Sequence, residues 1–358
     1  MKKLCIVLLF FTTFFTGCNY KHGNSLEIIS MVGHARLDTD SVALASISEL
    51  VRVVPLKTPQ SLVIGNLSRA VQYGKHIFVS TREGIYVFDK EGNYQNTIGT
   101  KGRGPAEYIS LAYILPDDTG LWVVDDYQKK VVHYSTEGAF LKSFFFSDYS
   151  GLSLASCFHI QKGGIFIAFV PDKGQPNSDI MISFFDKDRI IDSVLYFRPI
   201  INSGNVQSFF YDEAQFFDNK GKTRFKEMLN DTIYMIDNHR LIPEFVVDLG
   251  GRAPDKNARE LLTKDRRYNP FDNADRVDLF GVGDRYIYLK SNGKPYFYDK
   301  KKSTLECLYL TLPQDSRIDP SDLRGFVGKY IDNENNLVGW VNSANEDDNP
   351  VLIIAKLK

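Results

Sequence analysis

The feature that most constrains this chain is a unit that returns along it: an apolar strand, a short polar turn and a second strand. It reads IYVFDKEGNYQNTI at 85–98, VVHYSTEGAFLKSFFF at 131–146, MISFFDKDRIIDSVLYF at 181–197, IYMIDNHRLIPEFVVDL at 233–249 and YFYDKKKSTLECLYL at 296–310. A partial sixth copy, VLIIAKL, occupies 351–357. Each copy is a hairpin, because period-two alternation flanks residues suited to a tight turn. Aromatics near the turns, Phe88, Tyr134 and Phe184, stand about 46 and 50 residues apart. Further strand-like pieces precede the copies, as at 67–72 and 77–81 before the first, which brings the unit to four strands.

Four short strands per unit, with no helix between units, argue against the barrel and doubly wound architectures, whose strands alternate with helices; a β-sandwich stays open on patterning alone, though five or six equivalent units would overfill one. The expected fold is all-β: a six-bladed β-propeller of four-stranded antiparallel blades. The last unit is one strand short, and an orphan strand, LVRVVPL at 50–56, precedes the first complete one. The expectation is therefore a ring closed by an N-terminal strand, which would also cover sheet edges otherwise open to association. One segment breaks the pattern: 251–275 suits a short helical insert over 257–267, with Leu261 and Leu262 on one face and Pro270 stopping it.

Residues 1–17 carry Lys2 and Lys3, an apolar run at 4–15, then Thr16 and Gly17 before Cys18. A basic start, a short apolar stretch and small residues at the end read as a signal peptide, and the run is short of the roughly 20 residues of a membrane span. Residues 15–18 resemble the lipobox of bacterial lipoproteins, which implies that Cys18 becomes the first mature residue and carries the lipid; Phe15 replaces the usual leucine. An ordinary cleaved leader ending by chance in cysteine is the alternative. Residues 18–47 are then a lipidated flexible tether and 48–358 the propeller domain. Beyond Cys18, the mature part keeps Cys157 and Cys307, which match no redox or zinc spacing and read as buried thiols.

With 43 basic and 44 acidic residues and no basic stripe, the chain lacks what counterion release from a nucleic-acid backbone requires, so no nucleic-acid partner is expected. Hydrophobic residues at 43% supply core for one large domain.

The hairpin at 85–98 is followed by TKGRGPAEY at 100–108. Over 49–110 the chain resembles the six-bladed β-propeller lipoproteins of Bacteroidetes, which look like NHL-repeat propellers. Ala106 stands where that family usually has a glycine, and the match loosens after the second blade. The resemblance implies fold and envelope location, with palmitate on Cys18 and the outer membrane, periplasmic side, as the place; it implies no enzymatic activity.

Within the loop, Gly99, Gly102 and Gly104 are expected to permit tight turns, Pro105 to stiffen it, Glu107 to accept backbone N–H bonds and Tyr108 to pack. A phosphate-binding loop would need Ser or Thr after its lysine and then a helix, whereas Lys101 precedes Gly102. No histidine pair has zinc spacing, so no metal and no cofactor is expected. The acidic pairs at 117–118 and 125–126 read as turn chemistry, with an axial structural calcium ion as the alternative. Arg69, Tyr113, Asp125, Tyr127 and His159 are the candidate binding residues, since aromatics near loops suit a glycan or peptide surface. No nucleophile elbow occurs. The sequence therefore points to a non-catalytic, envelope-anchored binding or scaffold protein, its partner an envelope protein or a glycan. The alternative is a glycan-active lyase or hydrolase at one mouth of the ring, with Arg69 or His159 acting beside Asp125.

Overall fold

The computed structural model of the chain describes residues 26–33, 41–111, 113–146, 152, 156–161, 164–170, 180–197, 214–258, 261, 265, 267–324, 326–344 and 348–358. The signal peptide and Cys18 lie outside the described residues. Six sheets stand as blades around an axis. Blades 1, 2 and 3 have their strands in sequence order, beginning at Leu67–Tyr73, Tyr113–Asp117 and Ser156–Gln161. Blades 4, 5 and 6 begin at Ala214–Asn219, Val277–Val282 and Tyr330–Ile331. These first strands touch one another in succession and form the inner wall.

Runs such as Leu121, Trp122, Val123 and Val124 are apolar throughout because a blade is buried on both faces. Leu121 and Val123 pack toward blade 1, while Trp122 and Val124 pack toward blade 3. The same division recurs around the ring. Among the described residues six buried apolar clusters are distinguished, one between each neighbouring pair of blades. The cluster between blades 6 and 1 joins Val54, Leu352 and Ile354 to Leu67, Ala70 and Val79.

Two parts of the expected architecture need correction. Blade 4 has five strands: Glu27–Ser30 adds to the outer edge of Arg240–Asp248 in parallel, Ile28 facing Val246. Nor is any sheet among the described residues closed by hydrogen bonds. Ser48–Pro55 does pair antiparallel with Val351–Leu357, as the outermost strand of blade 6, but that sheet keeps two edges. Backbone hydrogen bonds run from axis to rim within a blade, whereas neighbouring blades meet face to face. The blades are joined mainly by side chains, and at the seam between blades 6 and 1 also by the backbone, Lys57 N–H donating to Gly92 O at 2.8 Å and Tyr94 N–H to Lys57 O at 3.0 Å.

Residues expected to be tether are also built into the body. Besides Glu27–Ser30, whose Ile29 is fully buried, Ser41–Ala43 pairs in parallel with Tyr309–Thr311. The one-turn helix Leu44–Ile47 buries both its leucine and its isoleucine against blades 5 and 6. In the insert, Gly250–Arg252 forms a 3-10 turn, and helical bonds join Asn257 O to Leu261 N–H and Leu261 O to Asp265 N–H. Ala258, Pro270 and Asp275 are its buried residues among those described. No helix among the described residues is long and apolar enough to cross a membrane.

Candidate anion-binding mouth

The two ends of the ring differ in construction. One carries the tight turns between first and second strands. The other carries the blade-to-blade crossovers and the turns between second and third strands.

The crossover 99–108 is held in place from blade 2. Lys130, wholly buried, donates to Gly104 O at 2.9 Å and Glu107 O at 2.5 Å, and burial lowers its pKa. Glu107 accepts the Gly104 N–H at 2.7 Å, while its carboxylate fills the space beside Gly102 that a Cβ would need. Gly99 adopts a φ of +63° between two rings: Tyr108 donates to Ile98 O at 3.0 Å and Tyr134 to Ala106 O at 2.7 Å. Thr100–Lys101 pairs in parallel with Glu107–Tyr108, so no helix N-terminus follows the glycines. Pro105 sits within this turn.

The remaining candidate residues do not converge. Asp125 is fully buried and accepts the N–H groups of Ile109 at 2.6 Å and Gln128 at 2.9 Å, which fixes the base of the crossover. His159 lies farther along the axis toward the opposite mouth, 3.0 Å from Asp218 and stacked over Phe216. Neither meets Arg69, so the acid and base of a glycan-active site are not assembled from these residues. Tyr127 is 67% exposed on a turn of blade 2. Arg69 and Tyr113 do come together, the guanidinium 5.4 Å from the ring centre.

That pairing belongs to a pattern the sequence reading missed. On blade 5, Lys290 projects over Phe280 at 4.2 Å and Tyr288 at 5.7 Å. On blade 6, Lys329 stands 5.0 Å over Trp340. Each cation is positioned by an aromatic face, an attraction that leaves N–H donors unspent. Among the described residues none of the three has a carboxylate partner. Burial, then the neighbouring Lys329, pushes Lys290 down to about 8, while Asp278 opposes the shift. Asp278 is itself engaged by Arg276 at 2.9 and 3.1 Å. Several cations elsewhere are matched, Arg224 with Glu244, Arg285 with Asp299 and Lys220 with Asp284, while Lys142 on the outer strand of blade 2 stands 4.9 Å over Trp122. The signal available was a lysine at the end of an otherwise apolar strand, Tyr286–Ser291, and a tryptophan in its counterpart on blade 6.

Between blades 6 and 1 the mouth deepens into a cavity of about 370 Å³, lined in part by Asn66, Arg324, Lys329, Trp340 and Asn342. Tyr330 bridges the same pair of blades by donating to Ala70 O. No group of three His, Cys, Asp or Glu side chains suited to a metal ion occurs among the described residues. Cys157 and Cys307 are buried in different blades and form no disulfide.

The fold has solved counterparts. A Bacteroides fragilis protein described as exported superposes with a TM-score of 0.63 at 18% identity, over 92% of this chain and 99% of that one. A member of the DUF4221 family from Bacteroides vulgatus gives 0.50 at 10% identity, over 86% and 96%. Both likenesses concern the fold. No curated protein matches. The chain belongs to the family described as Domain of unknown function (DUF4934), whose model matches residues 26–356.

Proposed function

We propose that this protein is a non-catalytic binding module of the cell envelope, anchored by a lipid on Cys18 and taking its ligand at the crossover mouth of the ring. The observation that carries the reading is the trio Arg69, Lys290 and Lys329, three cations held over aromatic rings and not by carboxylates. Lys290 is part-buried and its one acidic neighbour is shared, which is costly for a cation, while Arg69 and Lys329 stand exposed on the adjoining blades; a ligand that supplies the charge would answer all three. The basic, apolar, small, cysteine order of residues 1–18 supports the anchor, and the exported Bacteroides counterpart agrees with an envelope location. We place the body on the periplasmic face of the outer membrane.

The test compares the wild-type chain with the triple variant Arg69→Gln, Lys290→Gln, Lys329→Gln, each immobilised and exposed to fractionated envelope material. The expected result is a component retained by the wild type and lost from the equally folded variant. Equal retention by both, or turnover of a retained polymer that survives the substitutions, would refute the reading. Protease shaving of intact cells decides the side: rapid loss of the protein would place it on the exterior.

A further inference from the structure

The mouth's chemistry narrows what the ligand can be. Its cations are distributed over three adjoining blades: Lys290 on blade 5, Lys329 at the start of the inner strand of blade 6, and Arg69 on the inner strand of blade 1. Arg324, exposed on the crossover leading into blade 6, adds a fourth in the cavity that Lys329 also lines. It too has no carboxylate partner among the described residues. A single small anion would satisfy one such group, whereas a ligand with charges repeated along its length satisfies several.

The cavity wall supplies the second restriction. Beside the cations it presents the amides of Asn66 and Asn342, while Asp322 is held by the Asn342 N–H at 2.9 Å. Side-chain amides both donate and accept, which suits hydroxyl groups. Leu67, Phe326, Val327 and Val341 also line the cavity, but its exposed wall is mostly polar, and Trp340 lies beneath the Lys329 ammonium. The wall fits a hydroxyl-rich chain better than a peptide.

We propose that the ligand is a multiply anionic oligosaccharide whose carboxylate or sulfate groups are received by Arg69, Lys290, Lys329 and Arg324. The proposal rests on the binding reading above and gives it a substrate class. Lys290 serves this role because its neighbours leave it short of counter-charge: Lys329 repels it, Asp278 is shared with Arg276, and Phe280 and Tyr288 offer only ring faces. A bound anion completes the site.

The experiment is calorimetric titration of the purified full chain in detergent with four probes: an oligogalacturonide, its fully methyl-esterified form, a sulfated oligosaccharide from heparin, and oligoglutamate. The esterified form keeps the sugar backbone and removes the charge. Binding of the free acid or of the sulfated chain, at least about tenfold tighter than the ester and weakened by salt, is expected. Which of the two binds more tightly distinguishes carboxylate from sulfate as the source. Lys329→Gln and Arg69→Gln should each weaken binding roughly tenfold, the scale of one charged hydrogen bond. Lys75→Gln, on an exposed turn at the opposite mouth, should leave it unchanged. Equal binding of acid and ester would overturn the anionic assignment and leave a binding module in place. Binding of oligoglutamate alone, or of no probe, would overturn the saccharide assignment; whether the chain binds anything at this mouth is decided separately by envelope retention.

Discussion

Replacing Gly99 by alanine tests whether the 99–108 crossover is fixed by packing or only by backbone shape. At φ +63° an L-residue costs about 1–2 kcal/mol relative to glycine. The added Cβ would also lie 2.6 Å from Tyr134 Oη and 2.8 Å from a Tyr108 ring carbon. Both rings are buried to within 1% and both hydroxyls are bound to carbonyls, so neither can withdraw freely. Overpacking of this kind costs about 1–3 kcal/mol, and loss of one hydrogen bond about 1 more. The sum is about 3–5 kcal/mol after allowing for the stiffer unfolded chain. Gly74 is the control: its φ is +56°, and nothing lies within 4 Å of its virtual Cβ. Gly74→Ala should therefore cost about 1 kcal/mol or less. At about 2 cal/mol/K per residue, a ring of this size loses about 1.4 °C of Tm per kcal/mol, which predicts falls of about 4–7 °C and under 2 °C respectively. Thermal unfolding followed by circular dichroism reads both. Tyr134→Phe removes the nearest atom, so the double variant should lose less than the sum of the single ones. Equal Tm values for Gly99→Ala and Gly74→Ala would refute the packing argument.

Lys290→Met should stabilise the protein at pH 7 by about 1 kcal/mol, after discounting for the partial exposure of the side chain. The sign follows from its depressed pKa of about 8 in the folded chain: below pH 8 both states carry the charge and the burial penalty is complete. As pH rises toward about 10.4 only the unfolded state stays protonated, so the wild type should gain on the variant, and urea titrations at pH 7 and 10 check this. Lys130→Met leaves the carbonyls of Gly104 and Glu107 unmatched and should cost about 2–3 kcal/mol, with protease cleavage in 99–108 accelerated. Cys18→Ser should abolish labelled palmitate incorporation and leave precursor or soluble protein; incorporation at the wild-type level would refute lipidation.

The strands and blades were legible because each blade buries both faces, so alternation and long apolar runs survive in the sequence. Phe78 packs toward blade 2 and Ile77 and Val79 toward blade 6, and all three fall in the strand-like piece 77–81. Glu27–Ser30 was not legible: four residues carry too little periodicity, and parallel addition to blade 4 depends on an edge more than 200 residues away. The mouth was half legible. Arg69 and Tyr113 were singled out for residue type and loop proximity, but Lys290 and Lys329 gain meaning only when Phe280 and Trp340 are brought beneath them. The surroundings of Asp125 were hidden for the same reason: a carboxylate near a loop looks the same whether it faces the axis or caps two backbone N–H groups.

The failed expectation about closure has a physical lesson for rings of this kind. An N-terminal strand completing the last blade suggests a clasp made of hydrogen bonds, and the pairing of Ser48–Pro55 with Val351–Leu357 is real. Those bonds lie within blade 6, and the same strand runs on through 56–66 into blade 1. What an open arc would lack is the interface between blades 6 and 1, where Val54 and Ile354 bury against Leu67 and Ala70 and Tyr330 reaches Ala70 O. The polar contacts of Arg52 with Gln72 and of Gln72 with Glu334 span the same seam. The N-terminal segment contributes to closure through Val54, which it turns toward blade 1, and through backbone bonds just beyond the strand, Lys57 N–H to Gly92 O at 2.8 Å and Tyr94 N–H to Lys57 O at 3.0 Å. The anion-binding cavity lies on this seam, lined by Asn66 and Leu67 from one side and by Lys329 and Trp340 from the other. A ligand gripping both sides would stabilise this joint, so binding and ring closure share one interface.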